Sequence, residues 1–283
     1  MKWYGRGFRT SCSKVMSKSY KKVLSIAGSD SGGGAGIQAD IKAISACGSY
    51  AMTAITAITV QNTLGVAGIH PVPPSYVADQ MAAVIEDIGV DAVKIGMLPS
   101  VETVERVADV LRRYGISRVV VDPVMVSTSG SCLSGEEVMA SIRELLFPLA
   151  ELITPNIPEA EFLTGQTIRT DSDFAGAAAE LQRQGAKNVL LKAGHCDGAT
   201  VADHLYEGEQ CTVFRYDRIE TNNTHGTGCT LSSAIAAFLA QGYSLREAVE
   251  QAETYVHEAI RCGSGYAIGH GHGPLHHFYR FWE

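Results

Sequence analysis

Apolar positions along the chain follow two rhythms. Short, β-branched runs recur, each with polar residues waiting at its C-terminal end: "KVLSIAG" (22–28), "AVKIGML" (92–98), "RVVVDPV" (118–124), "ELITPN" (151–156) and "NVLLKAG" (188–194). Their length and β-branching predict buried strands. Between them, residues 36–48, 75–89, 100–115, 134–150, 158–164 and 173–184 carry the longer period of helices. Later in the chain, Leu231, Ala234, Ile235, Phe238 and Leu239 repeat at i, i+3, i+4, i+7 and i+8 and end at Gly242. That is a core-facing helical stripe with a glycine stop, and it predicts a helix opening near Gly228 or Cys229. Ser134 with Glu137, and Ser244 with Glu247, read as capping boxes. Residues 200–219 read as an antiparallel hairpin turning at Glu207–Gly208. Alternation of strand and helix implies a mostly parallel sheet with helices on both faces, and ligands beyond the C-terminal strand ends.

Composition bounds the function. With 46% hydrophobic and 19% charged residues, the 283-residue chain has the make-up of a globule with a sizeable core. Seven scattered cysteines without a C-x-x-C pair argue against a disulfide framework or zinc ribbon, and for a reducing, cytoplasmic setting. No apolar run is long enough to span a membrane. The net charge of −7 is uneven: residues 1–22 hold seven basic side chains and no acid, and the remainder holds 16 basic against 30 acidic. An acidic body disfavours nucleic acid. Residues 1–22 lack an apolar h-region and are expected to be a disordered basic extension, with Met16 as an alternative start. No linker divides residues 23–283, which are expected to form a single domain.

Strand ends carry the candidate chemistry. "AGSDSGGGAGIQAD" (27–40) packs five glycines into nine residues, which suits close backbone approach to a ligand; neither G-x-G-x-x-G nor a Walker-type P-loop is present. Gln61 ends a β-like run, and its amide suits the edge of a heterocycle. Asp122 and the N-x-x-E of Asn156 and Glu159 sit on neighbouring strand tips, a pattern that suits magnesium or, equally, two helix caps. Lys192 leaves an apolar strand, where an anionic partner best explains it. In "NTHGTGCTLSS", Gly226, Thr227 and Gly228 lead into a helix whose first N–H groups form an anion site. Cys229 at that end is expected to ionise more easily than a free thiol. A hydrolase with Cys229 as nucleophile would need an oriented histidine, for which His225 is the local candidate. A heterocycle-binding sensor without catalysis is a further class, which coupled ATP turnover would separate from an enzyme. The histidines of "GHGHGPLHH" (269–277) lack an acid or cysteine at ligand spacing and are expected to line a wall. A cradle, a metal site, a cation and an anion hole make up the parts of phosphoryl transfer.

Seven segments in order, "AGSDSGGGAGIQADIK", "QNT", "KIGML", "VVDPVM", "TPNIPEAE", "NTHGTGCTLS" and "GHGPLHH", resemble the bacterial hydroxymethylpyrimidine/phosphomethylpyrimidine kinases of thiamine biosynthesis, in the ribokinase-like superfamily. The resemblance runs from about Val23 to the C-terminus. It implies a three-layer αβα sandwich with a mostly parallel central sheet. It also implies transfer of phosphate from MgATP to 4-amino-5-hydroxymethyl-2-methylpyrimidine, then to its monophosphate, in a homodimer. Carried over by position, Gln61, Gly28, Ala35 and Asp40 hold the pyrimidine between Met97 and Val124. Asn156, Lys192 and His225 fall on the nucleotide side, Asp122 and Glu159 on Mg2+, and Gly226, Thr227 and Gly228 form the anion hole. Cys229 falls where sugar kinases of the superfamily keep an aspartate base. Ala193 stands where the family usually shows glycine. The alternative is a pyridoxal kinase of the cysteine-containing branch, which shares the G-x-G-C turn; "VQNT" favours the aminopyrimidine.

Overall fold

The computed structural model describes residues 18–125, 134–194 and 198–282. The expectation for the leader lies outside these residues up to position 17. The chain enters β1 (Lys22–Asp30), turns through the glycine-rich segment into α1 (Gly36–Ala46), and returns along β2 (Tyr50–Asn62) and β3 (Gly65–Pro71). Then come α2 (Pro74–Asp87), β4 (Ala92–Ile95), α3 (Val101–Arg113), β5 (Val119–Val121), α4 (Glu136–Leu145) and β6 (Leu152–Ile153). The remainder is α5 (Ile157–Thr164), α6 (Asp171–Arg183), β7 (Asn188–Leu191), β8 (Thr200–Glu207), β9 (Gln210–Asp217), α7 (Thr227–Gln241) and α8 (Leu245–Gly263).

Among the described residues the nine strands make one sheet, ordered β3-β2-β1-β4-β5-β6-β7-β8-β9. The six strands from β2 to β7 run parallel, and antiparallel strands close both edges. Side chains alternate across it with period two. Val119 and Val121 join the core beneath α2–α6, and Val120 joins the other, beneath α1, α7 and α8. Two apolar faces on one buried sheet require a helix layer on each side, so the architecture is the αβα sandwich.

Several local expectations shift. β5 and β6 are only three and two residues long; beyond them Asp122 and Thr154 keep single backbone bonds to Ile95 and Val121 and Asn156 bridges to Lys192, as the tips reach a cleft. Ser134 does not cap α4: Gly135 is its N-cap, and the Ser134 hydroxyl donates instead to the Leu98 carbonyl. The Ser244–Glu247 box does form, at the start of α8. The hairpin turns on Gly208–Glu209, one residue later than its expected place, with Glu207 paired to Gln210. β3 is an addition. "GVAGIHP" is glycine-rich and mostly exposed, so no apolar alternation announces it.

α7 starts at Thr227 and stops at Gly242 in the left-handed conformation (φ 95°). Ten of its residues are buried, because it lies between the sheet and α8. Its N-terminus is thereby aimed at the C-terminal tips of the parallel strands.

Candidate active site

The β1 exit is organised by a residue that pattern alone does not single out. The Asp30 carboxylate accepts N–H groups from Gly32 (2.8 Å), Gly34 (3.0 Å) and Ala35 (2.8 Å), folding the glycines into a cradle. Its Oδ2 also lies 3.1 Å from His225 Nε2. A carboxylate can only accept, so that ring nitrogen carries the hydrogen. Burial opposes the charge on Asp30, yet the His225 hydrogen bond and the loop amides outweigh it and hold the carboxyl below its ordinary range. The Gln61 amide stands 3.3 Å from the same His225 nitrogen, and its Oε1 accepts from Thr59 Oγ1 at 3.1 Å. His225 therefore sits with Gln61 against the Asp30 cradle. The reason is contact between turns: a Cβ at Gly34 would overlap the His225 ring, and one at Gly226 would overlap the Gly34 carbonyl oxygen. Gly226 (φ 83°) is the residue that lets the two turns touch.

Behind this cradle lies a buried ion pair. Lys94 Nζ reaches both Asp40 oxygens, at 2.9 and 3.0 Å, with both side chains fully buried. Ser25 and Ser233 hydroxyls donate to the same carboxylate. Asp40 is thus a correction: it stands behind the cleft wall, its acceptors used by Lys94 and two serines, and does not line the cleft itself. Gly28, Ala35, Gln61, Met97 and Val124 do line it. A Cβ on Gly28 would sit 3.1 Å from the Met97 sulfur, so the glycine leaves that wall open.

The second group of residues meets at the head of α7. Lys192 Nζ donates to Asp122 Oδ1 at 2.8 Å, and Thr154 donates to the same oxygen at 3.1 Å. Burial raises the Asp122 carboxyl, but the charges of Lys192 and Lys94 prevail and keep it ionised below its usual range. A Cβ on Gly228 would lie 3.3 Å from Lys192 Nζ and 3.4 Å from Asp122 Oδ2, so cation, acid and helix end share one corner. Asn156 and Glu159 make a true capping box at the start of α5, each side chain accepting the other's backbone N–H at 2.9 and 2.8 Å. The cap reading holds for this pair, and the same two residues also line the cavity. Burial, with Asp122's charge adding to it, pushes Glu159 up to about 7.

Cys229 departs from expectation. Its sulfur accepts the Gly36 N–H at the head of α1, so two helix ends converge on it, and Lys94 acts in the same direction. Burial, with the charges of Asp40 and Asp122 adding to it, outweighs Lys94 and the Gly36 N–H and pushes the thiol up to about 11. In the open cleft it is a thiol.

These residues surround one cavity of about 680 Å³, from Gln61 and Met97 at one end, past Asp122, Lys192 and Cys229, to a lobe lined by Tyr216, His257 and Ile260. A 247-residue stretch of the chain, residues 30–276, matches the family model described as phosphomethylpyrimidine kinase. The chain belongs to the phosphomethylpyrimidine kinase family. It is 51% identical to the hydroxymethylpyrimidine/phosphomethylpyrimidine kinase of Rhizobium meliloti, over 92% of this chain and 98% of that one. It is 52% identical to the thiamine biosynthesis bifunctional protein ThiED of Geobacter sulfurreducens over 90% of its own length, but spans only 52% of that longer protein. The fold is also that of the Staphylococcus aureus pyridoxal kinase solved with AMP-PCP and pyridoxal, with a TM-score of 0.85, 32% identity, and coverage of 93% of this chain and 96% of that one. The stronger sequence likeness to the pyrimidine kinases favours that branch over the pyridoxal alternative, and the family is one of kinases.

Among the described residues no group of three or more metal-ligating side chains occurs. His277 Nε2 instead meets Thr230 Oγ1 at 3.0 Å, and Pro274 forms a β-bridge with His225. The segment packs against α7 and the turn before it. No helix among the described residues is long and apolar enough to cross a membrane.

Proposed function

We propose that this cleft phosphorylates the hydroxymethyl oxygen of 4-amino-5-hydroxymethyl-2-methylpyrimidine, and then the resulting monophosphate, with MgATP as donor, in the cytoplasm. The observation that carries the reading is the convergence of Lys192, Asp122 and the α7 N-terminus on one corner, with the Gln61–His225 amide and imidazole at the adjoining end. Gln61 and His225 offer polar groups to a heterocycle edge, and Met97 and Val124 cover its faces. The lobe beside Tyr216 and Ile260 is left for the nucleotide base, as an AMP-PCP-binding neighbour of the same fold supports.

Two buried carboxylates whose charges oppose one another, Asp122 and Glu159, fit a hard divalent cation that keeps its waters. Mg2+ held there would neutralise charge on the transferring phosphoryl group. The chain's own residues do the rest. Lys192 and the N–H groups heading α7 hold the phosphoryl oxygens. The acceptor oxygen forms the new bond to the γ-phosphorus as the bond to the β-phosphate oxygen breaks, and the acceptor's proton passes to Cys229 in its thiolate form, the minor form at neutral pH. Exposed Ile58, Val60 and Leu64 on β2 and its turn support the homodimer that the resemblance implies.

The two phosphorylations differ in what they ask of Cys229. An alcohol must lose a proton, whereas a phosphate monoester is already largely ionised at neutral pH. Cys229→Ser should lower turnover of the first step by about a hundredfold or more and leave the second within a few-fold. Because burial raises the thiol to about 11, first-step kcat/KM of the unaltered protein should climb with pH above neutrality, and that of the serine variant should not. A serine variant with unaltered first-step turnover and an unaltered pH profile removes Cys229 as base.

A further inference from the structure

The nucleotide end of the cleft holds a pair of acids that the reaction above leaves unused. Asp203 on β8 and Glu253 on α8 are 7% and 6% exposed, and both line the cavity. Their side chains are in hydrogen-bonding contact. Carboxylates only accept, so two carboxyl groups can bond to each other only when one of them keeps a proton. The rest of the geometry says which. Asp203 Oδ1 accepts the Ala193 N–H at 2.7 Å, and its negative charge helps hold Lys192 as an ammonium. Glu253 Oε1 is buried without a hydrogen-bond partner, a setting far more costly for an anion than for a neutral acid. Burial first, and then the charge of Asp203, raise Glu253 well above the usual carboxylate range. The groups facing the pair are Lys192 at the β7 exit, Tyr216 on β9 stacked on His257, and Glu250 one turn earlier on α8. α7, packed against α8, contains no Asp, Glu, Lys, Arg or His.

We propose that Glu253 is a positioning residue: its protonated carboxyl donates to Asp203, and Asp203 so fixed holds the Lys192–Gly194 exit of β7 in place for the nucleotide phosphates. The inference rests on the reading of this end as the nucleotide end. Loss of the proton sets two carboxylates against each other behind Lys192. The contact opens, an extra negative charge faces the phosphates, and ATP binds less well.

The test is ATP affinity by calorimetry from about pH 6 to about pH 9, a range that brackets a raised carboxyl, for the unaltered chain, Glu253→Gln and Glu253→Ala. Glutamine keeps a donor to Asp203 but has no proton to lose. The unaltered chain should lose about tenfold in affinity as pH rises, the effect of one added charge in a partly screened cleft. Glu253→Gln should stay tight without that loss, and Glu253→Ala should be weaker by about tenfold even at the acid end. Infrared difference spectra at neutral pH should show a buried protonated carboxyl in the unaltered chain that the glutamine variant lacks. Absence of that band, or three coincident affinity curves, overturns the proposal while leaving the nucleotide end intact. Failure of the unaltered chain to bind ATP at any pH overturns both.

Discussion

At the scale of single residues, environment reverses what position suggests. Cys229 stands at the head of one helix, accepts from the head of another and has Lys94 nearby, yet desolvation still keeps it protonated. Helix-end position is legible in sequence; burial depth is not. His277 shows the same contest with a cleaner consequence. It is 4% exposed, and burial, helped by the charge of Lys42, holds it down to about 4. A histidine lowered in the fold contributes stability above its unfolded value near 6.5 and loses it as pH falls toward about 4. The loss is on the order of 3 kcal/mol. Denaturant titrations across that window should therefore show a shallower acid dependence for His277→Gln, whose amide can still meet Thr230; parallel curves would contradict the assignment. Gln61 was legible as a cleft residue. Gln61→Ala should raise KM for the aminopyrimidine about ten- to a hundredfold, through loss of one or two buried hydrogen bonds, with ATP affinity unchanged. Unchanged pyrimidine kinetics would take Gln61 out of the site.

Elements were read best where periodicity and punctuation agree. α7 had both an apolar stripe and a terminal glycine, and α8 had its capping box. β3 had neither, and Ser134 matched a cap pattern while its hydroxyl was claimed by Leu98. Contacts between distant turns leave no local signature. The Asp30 cradle depends on His225, 195 residues away, and Lys94 reads as one polar residue in an apolar strand until α1 brings Asp40 against it. The turn heading α7 makes this testable. Gly226→Ala demands a left-handed alanine and sets its Cβ against Gly34, so the two turns must part. Activity should fall by at least about tenfold, because a displaced cradle misplaces the acceptor. Full activity in the alanine variant would show that contact between the turns is dispensable.

Across the whole molecule, the alternation of strands and helices was enough to place the cleft, since parallel strands put all their C-terminal tips on one edge. What alternation does not convey is how the cleft is divided. The buried pair of Asp203 and Glu253 joins β8 to α8, and the Gln61–His225 contact joins β2 to the turn before α7. The account stands or falls on which alcohol this cleft accepts. The direct measurement is to incubate the protein with MgATP and an equimolar mixture of 4-amino-5-hydroxymethyl-2-methylpyrimidine and pyridoxal, and follow products by mass against time. The pyrimidine monophosphate should appear first and give way to the diphosphate, with pyridoxal phosphate forming far more slowly. Pyridoxal phosphate as the leading product, or no phosphorylated pyrimidine at all, would contradict it.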